Sequence, residues 1–61
     1  MNFFQLSDND GHVISLDQIL DYHLDFEDHI LIIRYGIDEE ISYYYKDEED
    51  ARMDYRRILN Q

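Results

Sequence analysis

Apolar positions along the chain first alternate with polar ones and then, near residue 47, change to helical spacing. Phe3 to Leu6 is a short apolar run, and His12 to Leu16 is a second. Between them, Asp8-Asn9-Asp10-Gly11 has turn chemistry, because Asn and Asp tolerate left-handed backbone and Gly adopts it freely. The two runs therefore predict a β-hairpin. Ser15-Leu16-Asp17-Gln18 matches a capping box and allows one helical turn through Leu20, with Ser15 as a plain strand residue the alternative. Leu20, Tyr22, Leu24 and Phe26 alternate with Asp21, His23, Asp25 and Glu27, the period of a half-exposed strand. A helix from Leu16 to Phe26 is the rival, since Ile19, Leu20, His23 and Leu24 also fall at helical spacing; the strand is preferred. Glu27-Asp28 is the next turn. His29 to Tyr35 is dense in Ile and Leu and reads as a central strand buried on both faces. Gly36 to Glu40 turns, and Ile41 to Lys46 returns as a strand rich in Tyr.

The last segment is helical. Asp47 suits an N-cap, and Ala51, Tyr55, Ile58 and Leu59 share one helical face. Asp47-Glu48-Glu49-Asp50 fills the first turn, while Arg56 and Arg57 lie near the end, both placements that suit the helix dipole. Glu48 and Arg52 form an i, i+4 pair in the better orientation. The predicted fold is α+β: a small antiparallel meander of four to five strands closed by one C-terminal helix, in a single domain spanning residues 1–61.

Composition adds the strongest single signal, which is charge. Fifteen Asp and Glu stand against five Lys and Arg in 61 residues, a formal net charge of −10. Such a load repels itself and opposes compaction, and a chain this short has little core with which to offset it. Disorder is argued against by an aromatic content of 15% and a hydrophobic content of 44%. There is no Cys, hence no disulfide framework and no thiolate metal site. No basic region followed by a long apolar run opens the chain, so a signal peptide is not expected and the cytoplasm is the simplest compartment. Ile30 to Ile33 is the longest aliphatic run, far too short for a membrane span. The acidity argues against anionic lipid, nucleic acid and phosphorylated small molecules as direct ligands.

No motif carries catalysis. Asp8-x-Asp10-Gly11, with Asp17 further on, echoes part of a calcium loop, but its first ligand position is Leu6 and a hairpin turn explains the same residues. His12, His23 and His29 lack metal-ligand spacing, although His23 and His29 could meet across a hairpin. No Ser or Cys nucleophile has an evident base and orienting acid, and so short a chain has little room for a pocket that buries a substrate. The expectation is a protein that is not an enzyme and needs no cofactor or metal. Tyr43-Tyr44-Tyr45 could stack on bases, but its neighbours are acidic, so an exposed Tyr44 reads as a protein-interface residue.

The placement of charge is what points to a partner. In an antiparallel meander, the Glu27-Asp28 turn, the end of the last strand and the start of the helix share one end of the sheet. This gathers Asp25, Glu27, Asp28, Asp47, Glu48, Glu49 and Asp50 at one pole, while the helix carries Arg52, Arg56 and Arg57 back toward Asp38-Glu39-Glu40. Asp21, Asp25 and Glu27 on one strand face would form a row at multiples of roughly 6.6 Å, resembling backbone phosphates. In size, charge and aromatic content the chain resembles the small acidic proteins that phages and mobile elements use as inhibitors, some of which occupy the nucleic-acid site of a host enzyme. The placement of charge, beside that resemblance, leads to the expectation of docking on a basic protein surface, with Asp21, Asp25, Glu27, Asp28, Tyr44, Asp47, Glu48, Glu49 and Asp50 as the contact residues. The alternative is a self-assembling module, a homodimer whose charge serves solubility.

Overall fold

The computed structural model of the chain describes residues 2–60. The opening hairpin pairs β1 (Phe3–Gln5) with β2 (Val13–Ser15) in antiparallel register. Phe4 faces Ile14 across it, and both are buried while Phe3 and Val13 point outward. The connection is a 3-10 turn over Asn9–Gly11 in which Asn9, Asp10 and Gly11 all have positive φ. Asp8 holds its entry: one carboxylate oxygen accepts the Asn9 N–H at 2.7 Å.

A second sheet contains β3 (Asp21–Asp25), β4 (Ile30–Gly36) and β5 (Glu39–Tyr44), in that order and all antiparallel. The α+β class and the five strands agree with the sequence reading. The single continuous meander does not: the strands divide into a pair and a triplet. The break follows from a 3-10 turn over Leu16–Gln18, which lifts the chain out of β2 before β3 begins. This is the single helical turn read from Ser15-Leu16-Asp17-Gln18, although Ser15 makes no side-chain cap. Asp17 instead accepts the Asn2 N–H at 2.9 Å and ties down the N-terminal end.

Strand β4 is the centre of the sheet but is covered on one face only, correcting the two-sided burial read from its composition. Leu31 and Ile33 are 0% exposed. Ile30 and Ile32, on the opposite face, stay half-buried. The hairpin supplies Phe4, Leu6 and Ile14, and the helix supplies Ala51 and Ile58, all to the Leu31 side. Burying each of the large aliphatic side chains there contributes ~1.5–3 kcal/mol. On β3, Leu24 is buried and Tyr22 is packed at the core margin. Leu20 and Phe26, expected on the same inward face, lie just outside the strand and are exposed.

Helix α1 (Glu48–Leu59) starts one residue after Asp47, where the period changes. Asp47 occupies the cap position in extended geometry, but its side chain accepts no cap hydrogen bond. The buried stripe is Ala51, Asp54 and Ile58. Leu59, read as part of the apolar face, is exposed, and Tyr55 is half-buried against Tyr22 in an edge-on contact with ring centroids 5.5 Å apart. Among the described residues no helix is long and apolar enough to cross a membrane.

Candidate functional site

Strand register brings the acidic turn and the helix start to one end of the molecule. Asp25 pairs with Ile30, and Ile30 pairs with Tyr44 on its other side. One residue further out, Tyr45 donates its N–H to the His29 carbonyl at 2.9 Å. The turn holding Glu27 and Asp28 therefore sits beside Lys46 and Asp47, from which α1 departs with Glu48, Glu49 and Asp50. Asp8 joins this end from the hairpin, its second carboxylate oxygen accepting the Lys46 N–H at 2.9 Å. The Lys46 N–H first, and the Asn9 N–H second, hold the Asp8 carboxyl below its ordinary value.

The carboxylates of this pole do different work. Asp25 Oδ1 accepts the N–H groups of Glu27 and Asp28, at 3.0 and 3.3 Å, so it shapes the turn. Glu48 is paired with Arg52 at 2.8 Å, the expected i, i+4 bridge. Glu27, Asp28, Asp47 and Glu49 project into solvent. Lys46 and Arg52 are the cations of this end. Arg52 also lies over the Phe26 ring, 5.2 Å from its centroid, and Arg57 over Phe4 at 4.9 Å. Arg52 and Arg57 thus pack on aromatic rings, contacts that the charge pattern alone did not indicate.

Asp21 belongs to the opposite end of the sheet. Arg34 Nε donates to its Oδ1 at 2.8 Å and Nη2 to its Oδ2, a forked ion pair. This contact depresses the Asp21 pKa. Arg34 also stands opposite Glu40 on β5 in the strand register. The row anticipated along β3 does not form as a row: Asp21 is neutralised at one end and Glu27 has left the strand at the other. What the fold builds is an acidic cap. Tyr44 lies beside that cap on the uncovered sheet face and is 66% exposed, whereas Tyr43 and Tyr45 turn into the core as their alternation required.

Sequence reasoning missed the most constrained carboxylate. Asp54 is 0% exposed. Its Oδ2 accepts three hydrogen bonds, from Ser7 N at 2.8 Å, Ser7 Oγ at 3.0 Å and the Tyr45 hydroxyl at 2.7 Å. Oδ1 has no hydrogen-bond partner. The signal was its spacing: Asp54 lies three residues after Ala51 and four before Ile58, on the apolar stripe. Burial, and then Asp54 itself, raise the Tyr45 pKa far above its ordinary value. Burial pushes the Tyr43 hydroxyl up to about 12. This knot joins three segments of the fold around one buried carboxylate oxygen, and its geometry is that of a structural tie.

Of the acids in the calcium-loop-like stretch, Asp8 spends both oxygens on main-chain N–H groups and Asp17 accepts the Asn2 N–H. Among the described residues, no three His, Cys, Asp or Glu side chains converge as a metal site would require. The helix flank carries a shallow groove lined by Phe26, Arg52, Tyr55 and Arg56. Comparison with protein-family models, with curated proteins and with solved structures returned no match.

Proposed function

We propose that the chain is a non-enzymatic binding protein whose acidic cap docks on a basic surface of another protein. The observation that supports this is the register that sets the Glu27-Asp28 turn beside the first turn of α1. A fold needing its negative charge only for solubility gains nothing from concentrating it, since the like charges raise the cost of folding. Concentrated charge does help association, by steering encounter and selecting an oppositely charged face. In its finer form the reading takes the partner to be a DNA- or RNA-handling enzyme, with fixed carboxylates standing where phosphates would.

The test uses paired charge reversals. Glu27→Lys with Asp28→Lys leaves Asp25 to hold the turn. A protein captured from lysate at low salt should be released by this variant and by high salt, while Asp38→Lys should retain it. DNA or RNA should compete for the captured protein if the finer reading holds. Capture that is insensitive to salt and to the Glu27 and Asp28 reversal would sink the acidic-cap reading.

A further inference from the structure

The three-stranded sheet ends at β5. Tyr45 spends its N–H on His29, and bonded and non-bonded pairs alternate along an antiparallel ladder. Continuing that alternation through the Leu31–Tyr43 and Ile33–Ile41 pairs leaves the main-chain groups of Glu40, Ser42 and Tyr44 directed off the sheet edge. Every position of β5 except Tyr43 is exposed. Proteins commonly blunt such an edge with charged side chains, Lys above all, with Pro or with a bulge. The charges here are Glu39 and Glu40, which repel another acidic edge and leave this one open to a basic one. The strand has no Lys, Arg or Pro, and the one register shift falls between Arg34 and Gly36, at its beginning.

We propose that β5 is a docking edge that takes an extended, basic segment of a partner protein as the fourth strand of this sheet. The proposal deepens the acidic-cap reading by giving the partner's contact its shape, and it rests on that reading for the sign of its charge. Strand addition draws affinity from main-chain hydrogen bonds and specificity from alternate side chains. Here the alternate positions differ in chemistry. Ile41, 46% exposed, offers an apolar seat on one side. Glu40 and Tyr44 stand on the other, where a cationic side chain finds a carboxylate and an open ring face. Glu39 opens the strand, and its end runs into the cap through Lys46 and Asp47. The segment that fits alternates apolar and basic residues. A second copy of this chain fits less well, because it brings another net charge of −10 and its own Glu39 and Glu40 to the same edge.

The probe is a short peptide of alternating valine and lysine, read by amide NMR and hydrogen exchange at low salt. Two controls accompany it: the same peptide N-methylated on the residues that would face β5, and an oligolysine of equal charge. The amide protons of Glu40, Ser42 and Tyr44 should exchange freely without peptide and slow by about tenfold or more with it. The N-methylated peptide should lose that protection. Ser42→Pro should lose it as well, since the N–H it removes points away from β4; the N-methylated arm gives the answer on the unaltered chain should this variant misfold. Equal binding of both peptides, with shifts confined to the Glu27-Asp28 turn and helix start, overturns the edge and leaves the cap reading standing. Protection that survives Glu27→Lys with Asp28→Lys keeps the edge and removes the cap. No binding of any basic probe overturns both. Edge protection in the free protein that grows with its concentration overturns the proposal in favour of a second copy.

Discussion

The Tyr45 hydroxyl donates to Asp54 Oδ2 at 2.7 Å in the same buried spot where the Ser7 N–H and hydroxyl converge. One carboxylate oxygen thus binds the segment after β1, the segment after β5 and the middle of α1. The hairpin is a sheet of its own, so this knot is one of the few polar links fixing it to the rest. Tyr45→Phe should cost ~1–3 kcal/mol, because it takes a donor from a buried acceptor. Asp54→Ala should cost more, since it removes all three hydrogen bonds at once and leaves the buried Tyr45 hydroxyl without its partner. A domain this size holds only about 3–9 kcal/mol in total. Urea denaturation of the two variants should therefore show a lowered midpoint for Tyr45→Phe and a largely unfolded baseline for Asp54→Ala. Equal, small effects would mean that Asp54 is not a tie.

Alkali should destabilise the protein through its buried tyrosines. Tyr45 is held neutral well above the ordinary value of 10.0, by burial first and the Asp54 hydrogen bond second. Tyr43 is pushed up to about 12, chiefly by burial. The sign follows from linkage: a raised folded pKa contributes stability fully present below pH 10, which is lost as pH climbs toward the folded value. Each such group lowers stability by up to ~1.4 kcal/mol per pH unit in that window. Burial raises Tyr22 as well, so phenolate absorbance should show three of the six tyrosines ionising late, Tyr43 and Tyr45 together with unfolding, and Tyr45→Phe should leave two. Titration of all six as free tyrosines, with the fold intact, would contradict this.

Legibility in the sequence followed the physics of local spacing. The alternation of Tyr43, Tyr44 and Tyr45 was readable because strand side chains alternate faces whatever packs on them. The start of α1 was readable because a period change and an acidic first turn coincide at Asp47. Register then placed Glu27 and Asp28 beside the helix start, since short antiparallel connections leave no other choice. Ile30 and Ile32 were misjudged because composition records apolarity and not the number of covering layers. Asp54 escaped notice because a charge on an apolar stripe is satisfied by Ser7 and Tyr45, both outside the helical segment whose spacing defines the stripe. The forked Arg34–Asp21 pair needed the β3–β4 register before it could be seen at all.

The hairpin turn should be intolerant of a side chain at Gly11. Its φ of +70° is left-handed, and a Cβ there would lie 2.7 Å from Gln5 Nε2. Gln5 is flexible at that end and can move aside, so the backbone decides the cost. Gly11→Ala should destabilise by ~1–2 kcal/mol. Gln5→Ala in the same background should recover little of it, and a double-mutant cycle by thermal melting measures the difference. Full rescue by Gln5→Ala would assign the cost to the side-chain clash instead.

Salt should stabilise the fold at neutral pH, before any partner is involved. With a net charge of −10 the dominant long-range term is repulsion, and its core is too small to hide it. Only two ion pairs between described residues are close, Arg34–Asp21 and Arg52–Glu48, and both are exposed, so screening removes little attraction. Raising ionic strength from 0.01 to 0.15 M shortens the screening length from ~30 to ~8 Å, which screens repulsion between carboxylates spread over a molecule of 27 × 23 × 21 Å. The thermal midpoint should rise across that range. It should rise less in Glu27→Lys with Asp28→Lys, where part of the cap's repulsion is already gone. A midpoint that falls with salt in the unaltered chain would show that the exposed pairs outweigh the cap, and that its carboxylates lie too far apart to repel.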